Sequence, residues 1–416
     1  MRYHPAPPID SRIGYRHAGR SRSRLLQTCL LLLWLPSLLS AADWSGYVEG
    51  QLRTFPQTAL DSDQSDASLS LAVQAEYYQR WDHGKQSLLF VPFARLDNQD
   101  EERSHADIRE LIWTYAGDGF ETRAGIGKLF WGVTEALHLV DVINQTDLVE
   151  NPDGEQKLGQ PMLKLSLEQE WGILDFFVLP GFRERTFPGK EGRLRTHPRV
   201  EPDLAEYESD RQQRHIDFAL RWSHYIGDWD FGLSHFHGTS RDPLFVPTLS
   251  SKGELVLAPY YEQMQQTGLD LQATKGDWLW KLEAIHRHLD SGSYNAATGG
   301  FEYTLIGIRD SVMDLGLLAE YLYDNRRDEA TTPFENDLFL AIRLSANDIA
   351  GSELLAGVIR DLDSRASLFN LEASRRLGNA WKASLQARLW FAVPDDDPLF
   401  AYRRDDYVEF SLARYF

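Results

Sequence analysis

Beyond residue 43 the chain alternates polar and apolar residues two by two, and the breaks in that alternation follow a pattern. In "WKASLQARLWF", Trp381, Ala383, Leu385, Ala387, Leu389 and Phe391 share one face, while Lys382, Ser384, Gln386, Arg388 and Trp390 share the other. The same holds for Leu69, Leu71, Val73, Ala75 and Tyr77 against Ser68, Ser70, Gln74 and Glu76, and for Leu338, Leu340, Ile342 and Leu344 against Asp337 and Arg343. A period of two is the signature of a strand with one apolar face. A single such segment fits a soluble sandwich as well as a barrel.

The spacing of the breaks separates those two. Alternating segments fall at 44–55, 68–81, 86–97, 106–116, 119–131, 161–171, 173–182, 213–226, 228–239, 262–274, 277–289, 300–309, 313–324, 336–345, 352–362, 366–377, 380–392 and 405–416, eighteen strands in all. Every second connection is a tight turn, such as "DHGK", "GDG", "KGD" and "GNA". Most of the others are long, notably 132–160, 183–212 and 240–261. Short turns on one rim, long loops on the other and an even strand number predict an all-β, transmembrane, antiparallel up-and-down barrel, with strands long enough for a tilted crossing. Aromatics near strand ends fit interfacial girdles, among them Trp44, Tyr77, Trp113, Tyr115, Trp222, Trp229, Trp278, Trp280, Tyr321, Tyr323, Trp381 and Phe391.

The first 42 residues read differently. Arg20, Arg22 and Arg24 precede the apolar run Leu25 to Leu39, and Ser40-x-Ala42 follows it. This predicts a secretory signal at 1–42, cleaved after Ala42, and a barrel domain at 43–416. Six of the 43 basic and one of the 62 acidic residues lie in the signal, leaving 37 against 61, a net of -24. The only cysteine, Cys29, also lies there, so no disulfide staples the mature chain. So negative a chain is a poor partner for phosphate backbones, and no nucleic-acid role is expected.

The closing segment "YVEFSLARYF" places Phe416 on one face with Leu412, Phe410 and Val408. It resembles the terminal strand of Gram-negative outer-membrane barrels, which is read by the barrel-assembly machinery. Signal, strand count and terminal Phe416 together resemble the porin-like outer-membrane channels of Gram-negative bacteria. That resemblance implies a barrel in outer-membrane lipid, passage of small hydrophilic solutes, and a loop after strand five folded into the lumen. Eighteen strands suit monomers and trimers alike, so a homo-oligomer is compatible.

The segment after strand five is 132–160. From Thr134 to Asn144 it carries Leu137, Val140 and Asn144 at spacings of three and four, a helical rhythm. Leu137, Leu139, Val140, Val142 and Ile143 need burial, while its acids need water or partners. An inward-folded loop meets both demands. Glu135, Asp141, Asn144, Asp147 and Glu150 are therefore the candidate constriction. Arg53, Arg343, Arg376, Lys382 and Arg388 form a candidate basic ladder across the lumen, either setting up a transverse field or simply pairing with Glu372, Glu409 and Asp337. Loop 183–212 carries Arg183, Arg185, Lys190, Arg193, Arg195 and Arg199, a run that collects anions or is merely solvated.

Nothing calls for a cofactor, and no catalytic spacing stands out. The same-face pairs His235/His237 and His286/His288 could bind metal, but their parity is that of outward interfacial residues. Passive diffusion is the leading expectation. An export or secretion conduit, for instance for a polysaccharide, comes second, and a membrane-embedded enzyme or structural barrel third.

Overall fold

The computed structural model describes residues 43–416; the expected signal, with Cys29, lies outside the described residues. Eighteen strands form one antiparallel sheet: β1 (Asp43–Thr54), β2 (Ala67–Trp81), β3 (Gln86–Asp97), β4 (Ala106–Ala116), β5 (Phe120–Gly127), β6 (Gln160–Gln169), β7 (Gly172–Pro180), β9 (Ile216–Ile226) and β10 (Trp229–Thr239) make its first half. The second half is β13 (Gln263–Lys275), β14 (Trp278–Leu289), β15 (Gly292–Leu305), β16 (Asp314–Asp324), β17 (Asn336–Ser345), β18 (Glu353–Asp361), β19 (Ser367–Leu377), β20 (Trp381–Phe391) and β21 (Tyr407–Tyr415). Each strand pairs with its neighbour, and β21 returns to β1 with Arg53 opposite Glu409 and Gly50 opposite Leu412. That last pairing closes the barrel and leaves no free sheet edge.

The alternation decides which face looks where. On β2, Leu69, Leu71 and Val73 are 58%, 48% and 41% exposed, while Ser70 and Ala72 between them are buried. Exposed Leu163, Leu165, Leu340, Ile342, Phe410, Trp229, Trp280 and Trp381 extend the same apolar surface around the outside. A belt of this extent is stable only against lipid. Arg414, which points outward, lies with its guanidinium 5.9 Å from the centre of the Trp381 ring, a cation–π contact near the rim. Beside it, Gly46 and Phe416 exchange two backbone hydrogen bonds of 3.2 and 3.0 Å. A Cβ on Gly46 would stand 2.4 Å from the Gln74 carbonyl and 2.9 Å from the Phe416 ring, so only glycine fits this seam.

One rim carries the turns 82–85, 117–119, 170–171, 227–228, 276–277, 306–313, 346–352 and 378–380. The other carries 55–66, 98–105, 128–159, 181–215, 240–262, 325–335 and 392–406, together with the short links 290–291 and 362–366. Within the long loops, β11 (Leu244–Leu249), β12 (Leu255–Tyr261) and β8 (Glu206–Tyr207) form a separate three-stranded sheet that the alternation alone did not reveal.

Two expectations need correction. The twelfth strand does not span 300–309: β15 begins at Gly292, and its "GSYNAATGG" half pairs with β14 throughout and with β16 from Ala296 onward. Glycine, alanine and asparagine have low strand propensity, which made a strand held by both neighbours look like a loop. The rhythm in Thr134 to Asn144 does not make a helix; the segment runs through turns and bends, held by the contacts described next.

Candidate functional site

Segment 128–159 leaves the sheet at the end of β5 and rejoins it at β6. Its base is clamped by one side chain. Asn144 Nδ2 donates to the carbonyls of Gly127 (2.9 Å) and Leu158 (2.8 Å), and its Oδ1 accepts from Leu129 N–H (2.9 Å). Val140 and Ile143 are wholly buried, and with Trp131 and Val142 they join a cluster with Phe177, Leu179, Phe236, Met264 and Ile285 on the inner wall. The apolar side of the segment is thus fixed to the wall between β7 and β14, the burial its composition demands.

The tip is held by two carboxylates that the sequence reading passed over. Glu283 of β14 accepts from the N–H groups of Val133 (2.7 Å), Thr134 (3.1 Å) and Val140 (3.1 Å), and from the Thr134 hydroxyl (2.7 Å). Glu320 of β16 accepts from Glu135 N–H (2.8 Å) and Ala136 N–H (2.9 Å). Both side chains are buried. Of these donors only Val140 N–H would serve an i−4 carbonyl in a helix begun at Thr134; the others lie at its start, where a helix leaves N–H groups free, and the carboxylates take them all in charge-assisted bonds. An isolated acid at an inward position, as in "KLEAI" and "LAEYL", was the available signal. His138 adds a cation here, with Nε2 3.0 Å from Glu155 and Nδ1 3.9 Å from Glu283. Burial opposes its charge, but the two carboxylates outweigh burial and hold the imidazolium up to about 10.

The candidate constriction residues divide by environment. Glu135 Oε2 meets Arg343 of β17 at 2.6 Å and Lys281 of β14 at 3.6 Å, and Arg343 also reaches Glu302 at 3.3 Å. Glu150 receives the Arg95 Nε–H at 3.0 Å and lies 3.5 Å from His105. Asp147 is buried between Arg109 (2.5 Å) and the Thr186 hydroxyl (2.7 Å). Asp141 is buried beside Lys157 at 3.3 Å; burial pushes its carboxyl up and Lys157 pulls it back in part. Asn144 is the clamp already described.

The basic residues do not form one row. Arg53 is buried and donates to Glu409 at 2.7 Å. Arg388 meets Asp153 at 2.7 Å and Glu372 at 3.5 Å. Arg343 pairs with the segment itself. Lys382 faces Arg376 across the β19–β20 ladder near the short-turn rim, where Arg376 is exposed. The run in 183–212 is paired, and of its six cations only Lys190 is exposed: Arg183 pairs with Asp107 (3.0 Å), Arg185 with Asp242 (2.7 Å), Lys190 with Asp63 (2.7 Å), Arg193 with Asp405 (2.7 Å), Arg195 with Asp61, and Arg199 with Glu201 (2.7 Å). His235, His286 and His288 bond outward-facing Thr267, Asn295 and Ser293. Among the described residues no group of three His, Cys, Asp or Glu side chains could hold a metal.

Two cavities remain between the segment and the wall. The larger, about 740 Å³, is bounded by Glu135, Ala136, Asp153, Phe339, Leu368 and Trp390, and by rim residues such as Phe187 and Tyr402. The smaller, about 540 Å³, is bounded by Tyr47, Glu49, Arg95, Glu150, Lys382 and Glu409 among others. Glu135, Leu355 and Glu372 border both.

No protein-family model matches this chain, and no curated protein is similar to it in sequence. Solved structures are similar in fold. The OccK11 (OpdR) protein of Pseudomonas aeruginosa is 10% identical and aligns over 90% of this chain and 95% of its own, with a TM-score of 0.51. Two variants of the porin of Rhodopseudomonas blastica, each 11% identical, align over 90% of this chain and 100% of theirs, with TM-scores of 0.45 and 0.43. By fold, the chain is a porin-like closed antiparallel barrel of eighteen strands.

Proposed function

We propose that the protein is an outer-membrane channel for passive diffusion of small hydrophilic solutes, and that segment 128–159 crosses the bore as its constriction. The observation that carries this reading is the position of Glu135. It belongs to the segment, yet it bonds Arg343 and Lys281 on the inner wall and borders both cavities. A solute moving from the larger cavity to the smaller one passes between Glu135 with its cations and Glu372 with Arg388. Charges in a narrow passage act over about 10 Å at ordinary salt, so this neck both limits size and discriminates charge.

Purified protein in a planar bilayer should show stepwise ion currents. Absence of any current from correctly folded barrel would refute the channel. Recovery from the periplasm rather than the outer membrane would refute the location.

A further inference from the structure

The wall of a passage for hydrophilic solutes is expected to be polar, and around the smaller cavity it is. Around the larger one it is not. Phe339, Leu355, Ile359, Leu368 and Trp390, on the inward positions of β17 to β20, line it. They pack in one apolar cluster with Leu318 and Leu322, and the Tyr402 ring stacks on Trp390 at 5.6 Å and 20°. Water gains little from such a wall, whereas an apolar or aromatic group gains from leaving water for it.

The charges at the cavity are already committed. Arg388 is paired with Asp153, His138 with Glu155, Glu135 with Arg343, and Arg185 with Asp242. Glu372 shares Arg388 with Asp153, Lys281 meets Glu135 and Arg195 meets Asp61, so the lining leaves no charge of either sign unpaired to hold an ionic solute. Three polar groups on its β19–β20 wall have no hydrogen-bond partner: Arg388 Nε–H, Trp390 Nε1–H and Asn370 Oδ1. They are neighbours, since Asn370 faces Arg388 and Leu368 faces Trp390 in the β19–β20 register. Arg388 and Trp390 are more than nine-tenths buried. Buried donors and acceptors are rarely left open in a native structure, and each one calls for an occupant. A hydroxyl group suits this set, because its oxygen accepts from an N–H while its own proton goes to the amide oxygen.

We propose that this cavity binds a neutral, hydroxyl-bearing solute with an aromatic or aliphatic part, of the aryl glycoside type, on its way through the barrel. The apolar part lies on Phe339, Ile359 and Leu368, and the hydroxylated part meets Asn370, Arg388 and Trp390. This assignment rests on the channel reading above and narrows its solute class.

The test is block of the ion current of the full protein in a planar bilayer by phenyl β-D-glucopyranoside, with glucose, benzoate and phenethylammonium as comparators. Phenyl glucoside should halve the current at a concentration about tenfold below that of glucose, the preference expected from burying part of one ring. Trp390→Phe removes an N–H and keeps the ring; Leu368→Ser removes apolar wall. Leu368→Ser should bring the two sugars closer together, and Trp390→Phe should weaken block by both, read against each variant's own open current. If Trp390→Phe fails to assemble, Asn370→Leu tests the same hydroxyl contacts; if Leu368→Ser fails, Ile359→Ser tests the same wall. Equal block by glucose, or stronger block by benzoate or phenethylammonium, would overturn the proposal and leave the channel standing. Absence of ion current would instead remove the channel reading. Saturation-transfer NMR of phenyl glucoside on the folded protein would then decide the cavity: signal lost in Leu368→Ser supports the site, and no signal in wild type ends it.

Discussion

Glu135 Oε2 and Arg343 Nη2 stand 2.6 Å apart although 208 residues separate them in sequence. The contact joins a loop that follows β5 to an inward position of β17, nine strands later in the barrel order. It marks where the two cavities meet, and Lys281 and Glu302 complete a four-charge cluster around it.

Replacing Glu135 by glutamine keeps volume and removes the negative charge, leaving Arg343 and Lys281 beside Glu302. The zero-current potential in a salt gradient should move toward anion preference, with the cation-to-anion permeability ratio falling about twofold. Asp141→Asn and Asp147→Asn should leave that ratio unchanged, since both side chains are buried against Lys157 and Arg109. A shift from the buried pair and none from Glu135 would misplace the filter.

Asp147→Asn should instead loosen the segment. It weakens a charge-assisted bond to Arg109 and one from the Thr186 hydroxyl, a local loss of about 1.5–3 kcal/mol. Faster hydrogen exchange in 128–159 and around Thr186, with the barrel strands unchanged, is the expected result. Uniformly protected amides would show that the pair holds nothing.

Asn144→Ala removes three hydrogen bonds at the base of the segment and leaves the Gly127 and Leu158 carbonyls without that donor. A local destabilisation of about 2–3 kcal/mol follows. It should be visible as new proteolytic cleavage between 128 and 159 while heat-modifiable gel migration persists. Resistance equal to wild type would contradict the clamp.

The His138 tether has a defined pH window. Burial disfavours its charge, the Glu155 and Glu283 carboxylates overcome that, and the pKa is raised from 6.5 to about 10. A raised pKa means the contribution is complete below the ordinary value and is lost as pH climbs through the folded value. Partial desolvation opposes the charge of the half-exposed Glu155, but its bond to His138 holds its carboxyl below the ordinary range, so its share is lost only in acid, as pH falls through that lowered value. Current fluctuations from the segment should therefore be quiet near neutrality and grow as pH rises toward about 10. His138→Gln should show them already at neutral pH. Wild-type noise independent of alkaline pH would rule the tether out.

The sequence reported the barrel well because lipid outside and water inside impose a period of two on every strand. Residues such as Leu69, Ser70 and Leu71 carry that pattern without help from neighbours. It failed at β15, where Ala296, Ala297, Gly299 and Gly300 are strand only because β14 and β16 pair with them. It overshot at β5, extended to 131 although the chain leaves the sheet after Gly127. Spacing alone also could not tell whether Thr134 to Asn144 is helical, since the segment is held by contacts to Glu283 and Glu320, far along the chain. At the site, the need of Leu137, Val140 and Ile143 for burial was legible, but the pairing of each acid was not. Asp147 and Glu135 look alike in sequence; one is buried on Arg109 and the other borders both cavities.

The most direct test of the central claim is chemical modification at the neck. Glu135→Cys introduces a thiol into a chain whose only native cysteine, Cys29, lies within the expected signal. A bulky methanethiosulfonate reagent is added while single channels are recorded in a planar bilayer. If segment 128–159 narrows the passage at this residue, each channel's current should fall in a step on reaction and recover on reduction. Unchanged current from protein that mass spectrometry shows to be fully modified would mean that Glu135 does not border the conducting path.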